Sequence, residues 1–190
     1  HQAFRWSLVS ERGQKVQSSA GVGFEADRAL ADCRNIDILF LLSSPSSVFD
    51  NAVSGNALLR GLGRHGTVLG GISGGVFPLV RSGAMAGQPV SVHWCYEAAF
   101  EAEFPDMDAR SEVIVRTVTR YTAAGAAAGF DLALHLVHDR MGGDIAHEVA
   151  CWFQHPMMRG AAVRQQVPNA TAPRTGDRLP PLVSRSVEMF

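Results

Sequence analysis

The stretch TVLGGISGGVFPLV, Thr67 to Val80, decides how this chain folds. Thr67 to Ile72 is an apolar run of strand length, and Val76-Phe77-Pro78-Leu79-Val80 reads as the start of a buried helix. Between them a single small polar residue, Ser73, stands among glycines at 70, 71, 74 and 75. Such glycines permit a sharp strand-to-helix turn and close backbone approach. In an open α/β sheet, ligands bind beyond the carboxyl ends of the strands, and Ser73 lies at such an end. Two readings follow. Ser73 is a nucleophile on a strained elbow, with the Gly74 and Gly75 amides facing an oxyanion and His93 as its base. Alternatively, it caps the following helix or touches a ligand, and this reading carries more weight because no acid can be paired with His93.

Working outward, strands alternate with helices. Phe4 to Ser10 reads as a strand and Lys15 to Ser19 as its return in a hairpin. Ile36 to Leu42 reads as a strand buried on both faces. Asn51 to Leu62 is helical, with Leu58, Leu59 and Leu62 on one side, and Gly63 to Gly66 closes it. Val76 to Ser82 is a helix stopping near Gly83. Pro89 to His93 is a short strand, and Tyr96 to Phe104 a helix ended by Pro105. Glu112 to Tyr121 forms a β-branched hairpin. Ala123 to His138 is a long helix, broken at Gly142-Gly143. Ile145 to Phe153 is another, with Asp144 as its cap. The class is α/β with a mostly parallel sheet. From Arg159 onward Pro168, Pro173, Pro180 and Pro181 stand among polar residues, which reads as an arm or linker. Leu182 to Phe190 begins to look helical again.

Composition narrows the function. The 190 residues carry 17 basic and 18 acidic side chains, a net charge of −1, which suggests no electrostatic attraction to nucleic acid or to an anionic membrane. Hydrophobic residues make up 46%, enough for one sizeable core. Cys33, Cys95 and Cys151 are odd in number and widely spaced, against a disulfide framework or a structural zinc site. Cys95 has no glycine turn and reads as a small apolar residue. His135 and His138 lie near one face of a helix, with His147 further on, but no cysteine or carboxylate completes a metal set. No metal or cofactor is expected. There is no signal peptide or membrane-length apolar run, so a cytoplasmic protein is the expectation.

Several motifs in order resemble one family. They are LGGISGGVF (69–77), SGAMAG (82–87), SVHW (91–94), FPD (104–106), TAAGAAAGFDL (122–132), and QHP (154–156) followed by a basic, Gln-containing arm. Together they are similar to the class I glutamine amidotransferase-like (PfpI-like) sensor domain of AraC-type transcriptional regulators, across nearly the whole chain. The resemblance implies a three-layer, flavodoxin-like sandwich. It implies an amidotransferase-like ligand-sensing domain over 1–158, and an arm over 159–190 leading to a helix-turn-helix domain that these residues do not include. The family's first βα unit, normally placed before Phe4-Arg5-Trp6, is missing from the pattern. So is the acidic side chain that catalytic relatives place near the elbow.

Catalytic relatives carry cysteine at the elbow; here it is Ser73. A serine needs an organised base, whereas a thiolate is intrinsically nucleophilic. The expected function is therefore a non-catalytic, small-molecule-sensing and dimerising domain, with DNA reached only through the helix-turn-helix. An amidase or hydrolase using Ser73 with His93 is the alternative, and a bare dimerisation module a third. Related regulators respond to small nitrogenous metabolites, which implies a carnitine-, betaine- or amino-acid-like effector. The expected ligand-binding residues are Ser73, Gly74, Gly75, Phe77, His93, Trp94 and Tyr96. Aromatic rings there can hold a cation by their faces, though each ring can equally be core. The alanine run Ala123 to Ala128 suits either a dimer contact or tight packing within the subunit.

Overall fold

A computed structural model describes residues 3–155, 158–160 and 162–167. In chain order the elements are β1 (Val9–Ser10), β2 (Val16–Gln17), β3 (Gly23–Phe24), β4 (Arg28–Ala29), β5 (Ile38–Leu42), α1 (Ala52–Arg64), β6 (Val68–Ile72) and α2 (Val76–Arg81). There follow β7 (Val90–Ser91), α3 (Glu97–Glu103), β8 (Ala109–Arg110), β9 (Ile114–Arg116), β10 (Arg120–Ala123), α4 (Ala126–Met141) and α5 (Gly143–Trp152).

The central sheet runs β5-β6-β10-β9. β5 and β10 both pair parallel with β6, and β9 joins β10 antiparallel through the expected hairpin. Leu42 and Ala123 both sit opposite Ile72, so three parallel strands end level and their following loops meet at one edge. Side chains alternate between the two faces of a strand. Leu39, Leu41 and Leu69 enter one core with Leu59 of α1, Leu79 of α2 and Phe100 of α3. Phe40, Ile72 and Tyr121 enter the other with Ala128 and Leu132 of α4. Helices thus cover both faces of a mostly parallel sheet, the expected three-layer α/β sandwich.

Helix α1 starts where its cap dictates: the Asn51 side chain accepts from the Ser54 amide at 3.1 Å. Helix α2 ends before Gly83, whose φ is +77°. Other boundaries differ from the sequence reading. β2 pairs with β3, not with Phe4–Ser10, because a tighter turn closes between Ser18 and Gly21, with Gly21 at φ +78°. Only Val9–Ser10 of the first run is strand, and it pairs parallel with β4. β5 is not buried on both faces. It lies at the edge of the four-stranded sheet, and Leu42 is 69% exposed.

Helix α4 begins three residues later than expected, because Ala123 ends β10 and Gly125 makes the turn. Ala123, Ala124 and Ala128 are buried by packing within the chain, whereas Ala126 and Ala127 are exposed. Asp144 sits in the first turn of α5, and Gly142 is the cap residue. The Trp94–Tyr96 segment is a 3-10 turn leading into α3. No described helix is long and apolar enough to cross a membrane.

The start of the arm is docked. The Val113 amide donates to the Val163 carbonyl and the Gln165 amide to the Ser111 carbonyl, each at 2.8 Å. Its upstream end is held by Asp131 of α4, whose side chain is 0% exposed. This carboxylate accepts from Arg159 Nε at 2.6 Å, from the Arg159 amide at 3.0 Å and from His155 Nε2 at 2.7 Å. Burial alone would raise its pKa. The hydrogen bonds from Arg159 and His155 and the charge of Arg159 outweigh burial and hold it below the usual carboxylate value. The expected prolines at 168, 173, 180 and 181, Pro156 of the QHP motif, and the Leu182–Phe190 segment lie outside the described residues.

Candidate ligand site at the carboxyl ends of the parallel strands

Ser73 follows β6 directly and takes φ +54°, the left-handed region that L-residues rarely occupy. Gly71 and Gly75 stand two residues to either side of it. The chain then passes through one 3-10 turn, Ser73–Gly75, into α2. The turn is sharp because it is pressed against its neighbours. A Cβ on Gly75 would lie 2.0 Å from the Leu41 carbonyl oxygen, and one on Gly74 would lie 2.5 Å from the Ser43 carbonyl oxygen. Both glycines are buried.

The loop that covers Gly74 is held from α2. Arg81 donates to the carbonyls of Pro45 at 2.7 Å and Ser47 at 3.0 Å, and pairs through two nitrogens with Glu103 of α3. The helix-cap reading of Ser73 is not what the structure shows. Gly75 precedes α2 with no side-chain cap, and no hydrogen bond to the Ser73 hydroxyl occurs among the described residues. The hydroxyl stands half-buried at an elbow whose conformation is strained, a feature that clusters at functional sites.

Ser73→Gly is therefore expected to stabilise the fold by about 0.5–1 kcal/mol, relief of left-handed strain exceeding the entropy cost of glycine. Urea denaturation reads this directly, and a lowered midpoint would mean that the hydroxyl itself is needed for folding.

His93 reaches the same edge from β7. Its ring lies against Gly125 at the turn after β10: a Cβ there would lie 3.2 Å from Cδ2 and 3.7 Å from Nε2 of the imidazole. Its Nδ1 accepts from the Cys95 amide at 3.2 Å. That acceptor role places the proton of the neutral ring on Nε2. Burial lowers the His93 pKa, which favours this neutral form. Stability from the neutral ring is complete above the unfolded pKa of about 6.5 and is lost as pH falls toward the lower folded value.

Trp94 and Tyr96 flank this ring, with centroids 5.4 Å and 5.8 Å from it. Both are half-buried, so each has a part to offer a ligand. Phe77 does not. It is 2% exposed and packs edge-on against Tyr96 and Phe100, with Arg81 5.6 Å above its ring. It belongs to the core behind Tyr96, which corrects its expected place among ligand contacts. The elbow brings its first helical turn back over β5, and that turns Phe77 inward.

Cys95 is half-buried, and burial pushes its thiol pKa up, away from the reactive thiolate. His135 lies next to the arm, with Nε2 2.8 Å from the Arg159 carbonyl. His147 faces Cys151, with 3.6 Å between Nε2 and Sγ. No group of three or more candidate metal ligands occurs among the described residues.

Sequence reasoning missed Gln165. Its side-chain Oε1 accepts from the Trp94 amide at 2.9 Å and its Nε2 donates to the Val92 carbonyl at 2.7 Å, bracketing His93. The only trace in the sequence was a Gln-containing arm, with nothing to say where that glutamine would land.

The fold is that of an α/β sandwich similar to ThiJ/PfpI and DJ-1 proteins. A THiJ/PfpI family protein from Pseudomonas syringae superposes with a TM-score of 0.68 at 20% identity, covering 96% of this chain and 72% of that one. An AraC family transcriptional regulator from Pseudomonas putida superposes with a TM-score of 0.70 at 23% identity, covering 79% of this chain and 81% of that one.

No family model matches the chain. In sequence, its homologues are HTH-type, AraC-like transcriptional regulators. One is the HTH-type transcriptional regulator CdhR of Pseudomonas aeruginosa, 29% identical over 168 residues, which are 88% of this chain and 50% of that protein. The chain spans about half the length of the curated relatives it matches.

Proposed function

We propose that this chain is the small-molecule-sensing domain of an HTH-type transcriptional regulator and that it performs no catalysis. One observation supports the second half of the reading: among the described residues no base is hydrogen-bonded to the elbow serine. The Nδ1 lone pair of His93 is engaged by the Cys95 amide and Nε2 carries the proton, so neither nitrogen is open to the Ser73 hydroxyl. What remains is a half-buried hydroxyl, an imidazole N–H and two aromatic rings at one sheet edge, the makings of a binding site. The sequence homology to regulators supports the first half.

In this reading the effector is a small nitrogenous metabolite, carnitine-, betaine- or amino-acid-like, contacting Ser73, His93, Trp94 and Tyr96, with the Gly74-Gly75 backbone shaping the floor. The domain is cytoplasmic, pairs as a homodimer and meets DNA only through a helix-turn-helix domain beyond the arm. The edge position of β5 in the four-stranded sheet leaves room for a further strand to pair there. Binding shifts the regulator only by differential affinity for its two states.

A thermal-shift screen with quaternary amines, amino acids and guanidino compounds tests the proposal, together with ester and amide turnover assays. A ligand that prefers the folded state must raise the melting temperature saturably. Turnover abolished by Ser73→Ala would replace the sensor with a hydrolase, and no shift with any compound would favour a bare dimerisation module. For a cationic hit, Trp94→Ala is expected to weaken binding by about 0.5–2 kcal/mol, read by calorimetry. Unchanged affinity would remove Trp94 from the site.

A further inference from the structure

We propose that Gln165 is a positioning residue of the candidate site, carried by the arm, and that it couples the site to the arm. The inference rests on the reading of this edge as a ligand site. A primary amide offers one acceptor and two donors in a fixed plane. Gln165 uses this to pair with the backbone on both sides of His93, taking the Trp94 N–H and giving to the Val92 C=O. Its own backbone is held separately: its amide donates to the Ser111 carbonyl, and Glu112 bridges Arg164. The same 111–113 segment is tied back to β7, because the Ser91 hydroxyl donates to the Glu112 carbonyl at 2.6 Å. Upstream, Arg159 is anchored on the buried Asp131.

The arm is therefore fastened at residue 159 and again at 165, the second fastening being the peptide groups that aim the His93 and Trp94 rings. A ligand that turns this segment must loosen Gln165, and an arm that lifts at 165 must release the segment. Coupling of this kind is reciprocal by thermodynamic necessity. Gln165 needs no contact with the ligand to act.

Amide hydrogen exchange by NMR on the 190-residue chain, without effector, tests both directions. His93→Ala removes the acceptor of the Cys95 amide and breaks no hydrogen bond of the described arm residues. It is expected to speed exchange at the Gln165 and Val113 amides by about tenfold, the scale of one lost hydrogen bond, and to leave the Leu69 amide of the central sheet unchanged. Gln165→Ala is expected to speed exchange at Trp94 and to move the His93 ring-nitrogen shifts away from the Nδ1-acceptor tautomer. A purely structural arm would leave those ring shifts alone. Gln165→Glu keeps the acceptor for Trp94 while losing the donor to Val92, and serves for the same readouts if the alanine variant does not fold. Arm exchange within about twofold of wild type in His93→Ala, or unmoved His93 shifts in the Gln165 variants, would overturn the coupling. Because no effector enters these measurements, failure of the ligand screen leaves the coupling standing, and loss of the coupling leaves ligand binding standing.

Discussion

Gly75→Ala is expected to cost about 3 kcal/mol or more, a drop of roughly 6–12 °C in melting temperature for a chain of this size. The added methyl meets the Leu41 carbonyl oxygen at 2.0 Å, far inside contact distance. That oxygen belongs to β5, which is paired to β6 through Leu41 and Gly71 and cannot retreat as a flexible side chain would. Relief requires either the elbow or the strand to move, and both are anchored in the same core through Leu39, Leu69 and Leu79. Thermal and urea unfolding should report the loss together. A variant with a wild-type midpoint would show that the elbow is looser than its packing indicates. Gly74→Ala meets the Ser43 carbonyl oxygen at 2.5 Å, in a loop held from Arg81, and is expected to cost less because a loop yields more readily than a paired strand.

Asp131→Ala is expected to cost about 2–4 kcal/mol, through loss of charge-assisted hydrogen bonds from Arg159 and His155 to a fully buried carboxylate. The effect should be uneven. Limited proteolysis is expected to cut the arm before the core, because Asp131 holds residues after α5 rather than the sheet. Its pH signature follows from the sign of the shift. The folded pKa lies below the unfolded value, so the carboxylate contributes its full stability above about pH 4 and loses it as pH falls through the folded pKa. Asp131→Asn should flatten the acid limb of the stability curve. An unchanged acid limb would place the titrating group elsewhere.

Much of the architecture was legible because it is written in local pattern. Strand β6, the glycine elbow and α2 follow one another within fifteen residues, each with its own signal: an apolar run, a cluster without Cβ atoms, then a helical apolar face. Helix α1 was legible for the same reason, with Leu58, Leu59 and Leu62 on its inner side, although Asn51 proves to be its cap rather than its first residue. The ordered motifs also pointed to the fold class and to relatives among regulators, which structural superposition and sequence homology support. Where local signals compete, the reading slipped. Ala123 has the propensity of a helix residue but the position of a strand end, and pairing with Ile72 decided it. The segment after Lys15 was able to pair backward or forward, and the turn at Gly21 chose forward.

The sequence by itself determined the alternation of strands and helices and the elbow at Ser73, because these depend on residues close together along the chain. Tertiary structure decided what the edge is made of. It turned Phe77 into the core and set Trp94 and Tyr96 around His93. It also left the Ser73 hydroxyl without a hydrogen-bond partner among the described residues, and so without the cap expected of it. It brought Gln165 onto Trp94 across 71 residues and Arg159 onto Asp131 across 28. Contacts of that span leave no periodicity to read, since a side-chain amide or a buried carboxylate finds its partner only after the sheet and its two layers of helices have formed.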